Sequence, residues 1–246
     1  MKLKYLLIVG LLYSTSSCDV LNEASNMIST NSTTTSSTPS LTNDEVISGL
    51  KEALSVGIKN SVNLTSVTDG FLKNDAIRLP FPPDAQAVKD KALNWGLTGQ
   101  VEKFETTLNR AAEEATKEAL PIFVDAIKNM SVQDGFTILK GGDGAATKFL
   151  KDQTTSKLVT AFSPKVKEAN SKVKLTEYWN PIITKYNNAI SLTGGQKLNP
   201  DLDAYVTEMA IKGLFKMVEQ EENKSRKDPM ARISDILVKV FGSLTK

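Results

Sequence analysis

Between Thr98 and Met130, apolar residues return every third or fourth position for about thirty residues. At ~100° per residue, Val101, Phe104, Leu108, Ala111, Ala112, Ala115, Ala119, Ile122 and Ala126 share one sector roughly 100° wide, the width of a core-facing helix stripe. Arg110 and Lys117 fall on the opposite side, Glu105 on the flank, and Glu113 ~140° from the stripe centre, where it is expected to be solvated. Such a helix would run ~45 Å at ~1.5 Å per residue, so other helices must pack along it. Pro121 removes a backbone donor and should kink or divide it near Leu120.

The same period recurs along the chain. Thr42-Asn43-Asp44-Glu45 reads as a capping box ahead of Val46, Ile47, Leu50, Leu54 and Ile58. Ser163-Pro164, Asn180-Pro181, Asn199-Pro200 and Asp228-Pro229 each place a cap residue before proline, a helix-start signal. Leu202, Tyr205, Val206, Met209, Ala210, Gly213, Leu214, Met217 and Val218 form one stripe, and Ile233, Ile236, Leu237, Val240, Phe241 and Leu244 another. With no hairpin signal and no β-branched alternation, the expected fold is all-α, a multi-helix bundle organised around one long helix at about 98–130.

Two stretches break the pattern. Ile77 to Pro83 holds three prolines and alternates, with Ile77, Leu79 and Phe81 to one side and Arg78 to the other. It reads as an extended strap across the bundle, or as the wall of a groove, leading into a helix near Pro83-Asp84. Gly141-Gly142-Asp143-Gly144 reads as a helix stop, with Asp143 capping the next start; the functional alternative is a ligand site at that helix N-terminus, involving Asp143 and Thr147.

The beginning of the chain changes the picture from a bundle to a tethered bundle. Lys2 and Lys4 precede an apolar run, Tyr5 to Leu12, too short to span a bilayer. Small residues Ser14 to Ser17 and the single cysteine, Cys18, follow. This resembles a bacterial lipoprotein signal cut before a lipid-carrying cysteine. The segment from about Ser25 to Thr42 is Ser, Thr and Asn with few large apolar groups, a disordered spacer reaching roughly 25 Å. The expected organisation is therefore a signal at 1–17, a tether at 18–42 and a helical domain at 43–246.

Composition excludes more than it assigns. Against 30 basic and 28 acidic side chains, two lysines lie in the signal, which leaves the remainder near neutrality and without a nucleic-acid footprint. Histidine is absent, which together with the lone cysteine removes Ser-His and Cys-His pairs and His or Cys metal clusters.

Several blocks occur in one order: Asp69-Gly70-Phe71, Ile77-Arg78-Leu79-Pro80, Asn109-Arg110-Ala111-Ala112-Glu113, Pro121-Ile122-Phe123, Gly141 to Thr147, Leu202 to Thr207 and Asp228-Pro229-Met230-Ala231-Arg232. From about Asp44 to Gly242 the chain resembles a family of bacterial, often lipid-anchored proteins known as domain of unknown function 4197. The resemblance implies a helical domain and an envelope location, and it brings no activity or catalytic residues.

The leading functional expectation is a lipid-anchored envelope module, attached through Cys18 to the outer membrane or the periplasmic face of the inner membrane. It would bind a protein partner or a small apolar or anionic ligand, with no cofactor, no metal, no nucleic acid and no assigned catalytic residue. Candidate ligand-binding residues are Arg78, Glu105, Asn109, Asp143 and Thr147. The alternatives are a carboxylate-based hydrolase using Glu105, Glu113 or Asp143, with Glu105 half buried, and a purely structural envelope protein.

Overall fold

In the computed structural model, which describes residues 42–172, 175–198 and 200–227, Thr42 starts the first helix as its sequence predicts. The Glu45 N–H donates to the Thr42 hydroxyl at 3.2 Å, and the Thr42 N–H donates back to the Glu45 carboxylate at 2.8 Å. Helix α1 runs Asn43–Thr65 and buries Ile47, Leu50, Leu54 and Ile58. Past the strap and a 3-10 turn at Pro83–Ala85 come α2, Gln86–Asn94, and α3, Thr98–Thr116. Then follow α4, Ala119–Lys128, α5, Val132–Lys140, α6, Ala145–Lys172, α7, Leu175–Leu192, and α8, Leu202–Lys227. No strand occurs among the described residues, and the fold is all-α. The signal, Cys18, the tether up to residue 41, Asn199, the Asp228-Pro229 start and the stripe from Ile233 to Leu244 lie outside the described residues.

The expected long helix is divided, at Lys117 and Glu118 rather than beside Pro121. A proline ring collides with the carbonyl four residues earlier, here that of Lys117, so the ladder opens there and Pro121 falls in the first turn of α4, where its missing N–H is not needed. The stripe stays in register up to Ala119: Val101, Phe104, Leu108, Ala111, Ala112 and Ala115 are all buried. Beyond the break the face rotates, so Phe123 is buried and Ile122 only partly so.

Pro164 and Pro181 correct two further expectations, because each lies inside a helix and neither Ser163-Pro164 nor Asn180-Pro181 is a start. A mid-helix proline costs about 3 kcal/mol. Phe162 and Val166 flank the first and Trp179 and Ile182 the second, all buried, at about 1.5–3 kcal/mol each. Burial on both sides of the proline outweighs the lost bond. Helix α8 begins at Leu202, two residues after the Pro200 expected to open it, and Asp201 supplies a cap, accepting from the Ala204 N–H at 2.9 Å.

Helices α3, α6 and α8 pack on one another and form the spine. Against one end lie α1, α4 and α5; against the other lie α2, α7 and the strap. Alternation along the strap holds: Ile77, Leu79 and Phe81 are buried and Arg78 is exposed. Phe81 and Phe104 stand 4.8 Å apart and Phe104 and Trp179 4.9 Å, one aromatic cluster joining strap, α3 and α7. On α8, Gly213 leaves room for the Phe71 ring, since a Cβ there would stand 2.6 Å from it.

Candidate functional site

One flank of α3 carries a row of polar residues, Glu105, Asn109, Arg110 and Glu113, and the chain between α1 and α2 folds onto all of them. The turn after α1 requires Asp69 at φ +69°, a left-handed conformation that Asp tolerates. It also requires Gly70, where a Cβ would stand 2.4 Å from the Leu64 carbonyl oxygen. This geometry aims the N–H groups of Phe71 and Leu72 at one oxygen of Glu113, at 3.1 and 3.3 Å. Arg110 donates to the other oxygen at 2.7 Å and to Asp69 at 2.5 Å. Glu113 is 3 % exposed, which corrects the expectation that it is solvated. Its position on the helix is as read, but the Asp69–Leu72 turn covers that face.

Charge pairing tunes this corner. Hydrogen bonds from Lys73 and then Arg110 hold the Asp69 carboxyl below its usual range. Burial works against the charged Arg110 guanidinium, but its bonds to Glu113 and Asp69 raise its affinity for the proton above the ordinary value.

The strap is fastened one and two turns earlier on α3. Asn109 accepts from the Leu79 N–H at 2.8 Å and donates to the Leu79 carbonyl at 3.0 Å, completing both backbone partners of a segment that has no neighbouring strand. Its amide also donates to the Glu105 carbonyl at 2.8 Å. The Glu105 side chain, 14 % exposed, receives Lys89 at 2.5 Å and Arg78 at 3.1 Å. From α8, the Tyr205 hydroxyl donates to the Pro80 carbonyl at 2.8 Å. Burial, with Glu105 and Glu208 nearby, pushes this phenol up to about 12. Asp75, Arg78, Pro80, Lys89 and Glu105 line an opening of about 300 Å³. Arg78, Glu105 and Asn109 are thus brought together, Arg78 and Glu105 at the opening and Asn109 beneath the strap.

Asp143 and Thr147 lie elsewhere, where the end of α8 meets the α5–α6 turn. The N–H groups of Ala146 and Thr147 donate to the Glu222 carboxylate at 2.9 and 2.8 Å, and the Thr147 hydroxyl adds a third bond at 2.8 Å. Asn223 accepts from the Gly144 N–H at 3.2 Å. Arg226 bonds Glu222 at 2.8 Å and reaches back to the Ile138 carbonyl at 3.0 Å. The expected cap, Asp143, instead pairs with Lys227 at 3.3 Å on the surface. The reason for this correction is distance in sequence: a carboxylate on α8 arrives over the N-terminal dipole of α6, and the local aspartate is left to the solvent.

The carboxylates therefore differ in what they can do. Both oxygens of Glu113 and both of Glu222 are occupied by backbone or nearby side-chain donors, whereas the two oxygens of Glu105 meet the partly exposed side chains of Lys89 and Arg78 at an opening that Asp75 also lines. Among the described residues no group of three or more His, Cys, Asp or Glu could hold a metal ion. No helix there is long and apolar enough to cross a membrane. Sequence reasoning missed Lys89, Tyr205, Glu222, Asn223 and Arg226. Only Glu222 and Arg226 carried a local sign, an i,i+4 acidic-basic pair on α8.

Two further recesses among the described residues are mainly apolar. A cavity of about 30 Å³ between α1, α6 and α8, lined by Leu50, Ala53, Leu54, Gly57 and Leu150 among others, has room for about one water and no ligand. A groove of about 400 Å³ follows the seam of α6 and α8.

No curated protein and no solved structure matches the chain. A family profile does match, over residues 40–242, and it spans the whole described bundle together with both carboxylate junctions and the strap. The chain belongs to the family described as protein of unknown function, DUF4197.

Proposed function

We propose that the chain is a lipid-anchored module of the bacterial cell envelope that binds a small carboxylate-bearing ligand at the strap opening and performs no catalysis. The observation that carries this reading is that Arg78 and Lys89 share one carboxylate, Glu105. Each cation keeps N–H donors for a second partner, and Arg78 is 46 % exposed toward solvent. A ligand carboxylate would meet a planar fork and an ammonium together, the chemistry that favours charge-assisted pairs. Asn109 and Tyr205 hold the strap that presents Arg78, and so position the site without touching the ligand.

Support for the location comes from the signal pattern, from Cys18 and from the Ser/Thr-rich segment that would hold the bundle off an outer membrane or the periplasmic face of an inner one. Near-neutral charge argues against nucleic acid as the partner. A carboxylate hydrolase fits less well, because Glu105 is ion-paired in an open depression rather than held in a closed apolar cleft.

The test is a titration of the full chain with succinate against chloride at matched ionic strength, following by NMR the backbone N–H signal of Leu79, which every variant keeps. A saturable shift is expected, weakened about tenfold or more in Arg78→Ala and in Lys89→Ala, since a hydrogen bond to a charged group contributes about 1.5–3 kcal/mol. Succinate shifts no larger than those of chloride, or a response that survives removal of both cations, would overturn the assignment.

A further inference from the structure

The turn that leads into the strap carries a carboxylate that the bundle does not use. Asn74 builds this turn: its carbonyl accepts from the Ile77 N–H at 3.0 Å and the Arg78 N–H at 2.8 Å, and its side-chain oxygen accepts from the Ala76 N–H at 3.1 Å. Asn74 is itself tied to α8, where its amide donates to the Met217 sulfur at 3.6 Å. The chain from Asn74 to Arg78 is thus a single turn closed by an i,i+4 bond, and it sets Asp75 three residues before Arg78.

Asp75 is exposed, and among the described residues no hydrogen bond or ion pair reaches its carboxylate. The reason is not a shortage of cations. Lys73 pairs with Asp69 at 2.7 Å, while Arg78 and Lys89 both pair with Glu105. Arg78 therefore passes over the carboxylate on its own turn for one on α3. Asp75 lines the strap opening beside Arg78 and Lys89, and it also borders the wider depression at Asp69, where the committed Lys73 is the one cation. The opening thus brings together two cations, Arg78 and Lys89, and two carboxylates, Glu105 and Asp75. Of these four, only Asp75 lacks a counter-ion.

That surplus selects among carboxylate ligands. A molecule with a carboxylate at each end would meet Arg78 and Lys89 with one end and be repelled by Asp75 at the other. With an ammonium at the far end it would find a counter-ion there, so rejection of the wrong ligand and attraction of the right one act in the same direction. Pro80 offers an apolar wall for the carbons between the charges. At about 300 Å³ the opening lies at the small end of ligand sites, with room for a molecule of amino-acid size. We propose that the ligand of the strap opening is a free amino acid, its carboxylate held by Arg78 and Lys89 and its ammonium by Asp75. This rests on the carboxylate reading of the opening and adds the second pole, which makes Asp75 the residue that sets specificity.

Three probes test it. Butyrate, succinate and γ-aminobutyrate share one carboxylate end and a short methylene chain, and they differ at the other end, which is a methyl, a carboxylate or an ammonium. Each is titrated into the full chain at matched ionic strength, with chloride as the control, following the backbone N–H signal of Leu79. γ-Aminobutyrate should bind at least about threefold tighter than butyrate, the scale of an exposed ion pair, and succinate should bind more weakly than butyrate. Asp75→Asn removes a charge that no group in the described bundle uses, so its melting should match the parent's, and in it the advantage of γ-aminobutyrate over butyrate should vanish. If γ-aminobutyrate binds no tighter than butyrate or succinate, or if its advantage survives in Asp75→Asn, the amino-acid assignment is overturned while carboxylate binding stands. If none of the three probes moves the signal beyond chloride, both readings fail together.

Discussion

Glu113 and Glu222 perform the same task at two junctions of the bundle, and the difference between them shows how this fold is locked. Each projects from a spine helix, accepts two consecutive backbone N–H groups and has an arginine within one turn. At Glu113 the receiving backbone is a strained turn with Asp69 left-handed, and Arg110 is divided between two carboxylates. At Glu222 the receiving backbone is a helix N-terminus, whose dipole already favours an anion, and Arg226 spends its second bond on the Ile138 carbonyl. The first junction thus fixes a loop conformation that could not persist alone. The second ties three helix ends that would each form without it. An anion site at the start of α6 exists in the chemical sense, and the protein's own carboxylate fills it.

Removing the acceptor at each junction separates the two cases. Glu113→Ala should cost about 3–5 kcal/mol in urea unfolding, because two buried N–H groups and a partly buried guanidinium lose a partner at once. A loss below about 1 kcal/mol would show that the Asp69 turn holds itself.

Glu222→Ala should cost less, about 2–3 kcal/mol, since the first turn of α6 can recruit water. Asp143→Ala, an exposed pair with Lys227, should stay within about 0.5 kcal/mol. If Asp143→Ala proved the more damaging of the two, the cap would belong to the local aspartate after all.

The smallest effect concerns acid. The folded-state pKa of Asp69 lies below the ordinary aspartate value of 3.8, so its ion pairs contribute stability above that value, and this is lost as pH falls through the folded pKa. Asp69→Asn keeps a side chain that tolerates the left-handed turn but cannot ionise. Its stability should therefore fall less steeply than that of the parent below pH 3.8. An identical acid limb in both proteins would mean that the Lys73 and Arg110 bonds contribute nothing there.

Much of the architecture was written in local pattern. The period of three and four gave the helices, Thr42 and Glu45 gave the first cap, alternation from Ile77 to Phe81 gave the strap its faces, and the stripe of α3 gave the spine. These features were legible because each depends on residues within one or two turns of one another. The candidate site was legible only in part: Arg78, Glu105 and Asn109 do share one corner, yet Lys89 and Tyr205 reach it from other helices and left no trace nearby in sequence.

The break at Lys117 and Glu118 is the local steric effect of Pro121, whereas the other departures from local pattern come from long-range contacts. A helical wheel places Glu113 opposite the core, and it does lie there; the Asp69–Leu72 turn, some 42 residues away, buries it. A Gly-Gly-Asp turn looks self-capped until Glu222 arrives from 75 residues further along. Ser163-Pro164 and Asn180-Pro181 look like starts because propensity weighs one missing bond, whereas the tertiary structure weighs that bond against the buried side chains on either side. The sequence by itself determined which segments are helical and which face of each is apolar, since these follow from backbone sterics and side-chain period. Only the tertiary structure decided which polar groups are buried and what occupies the start of α6, because those depend on partners that chain order does not reveal.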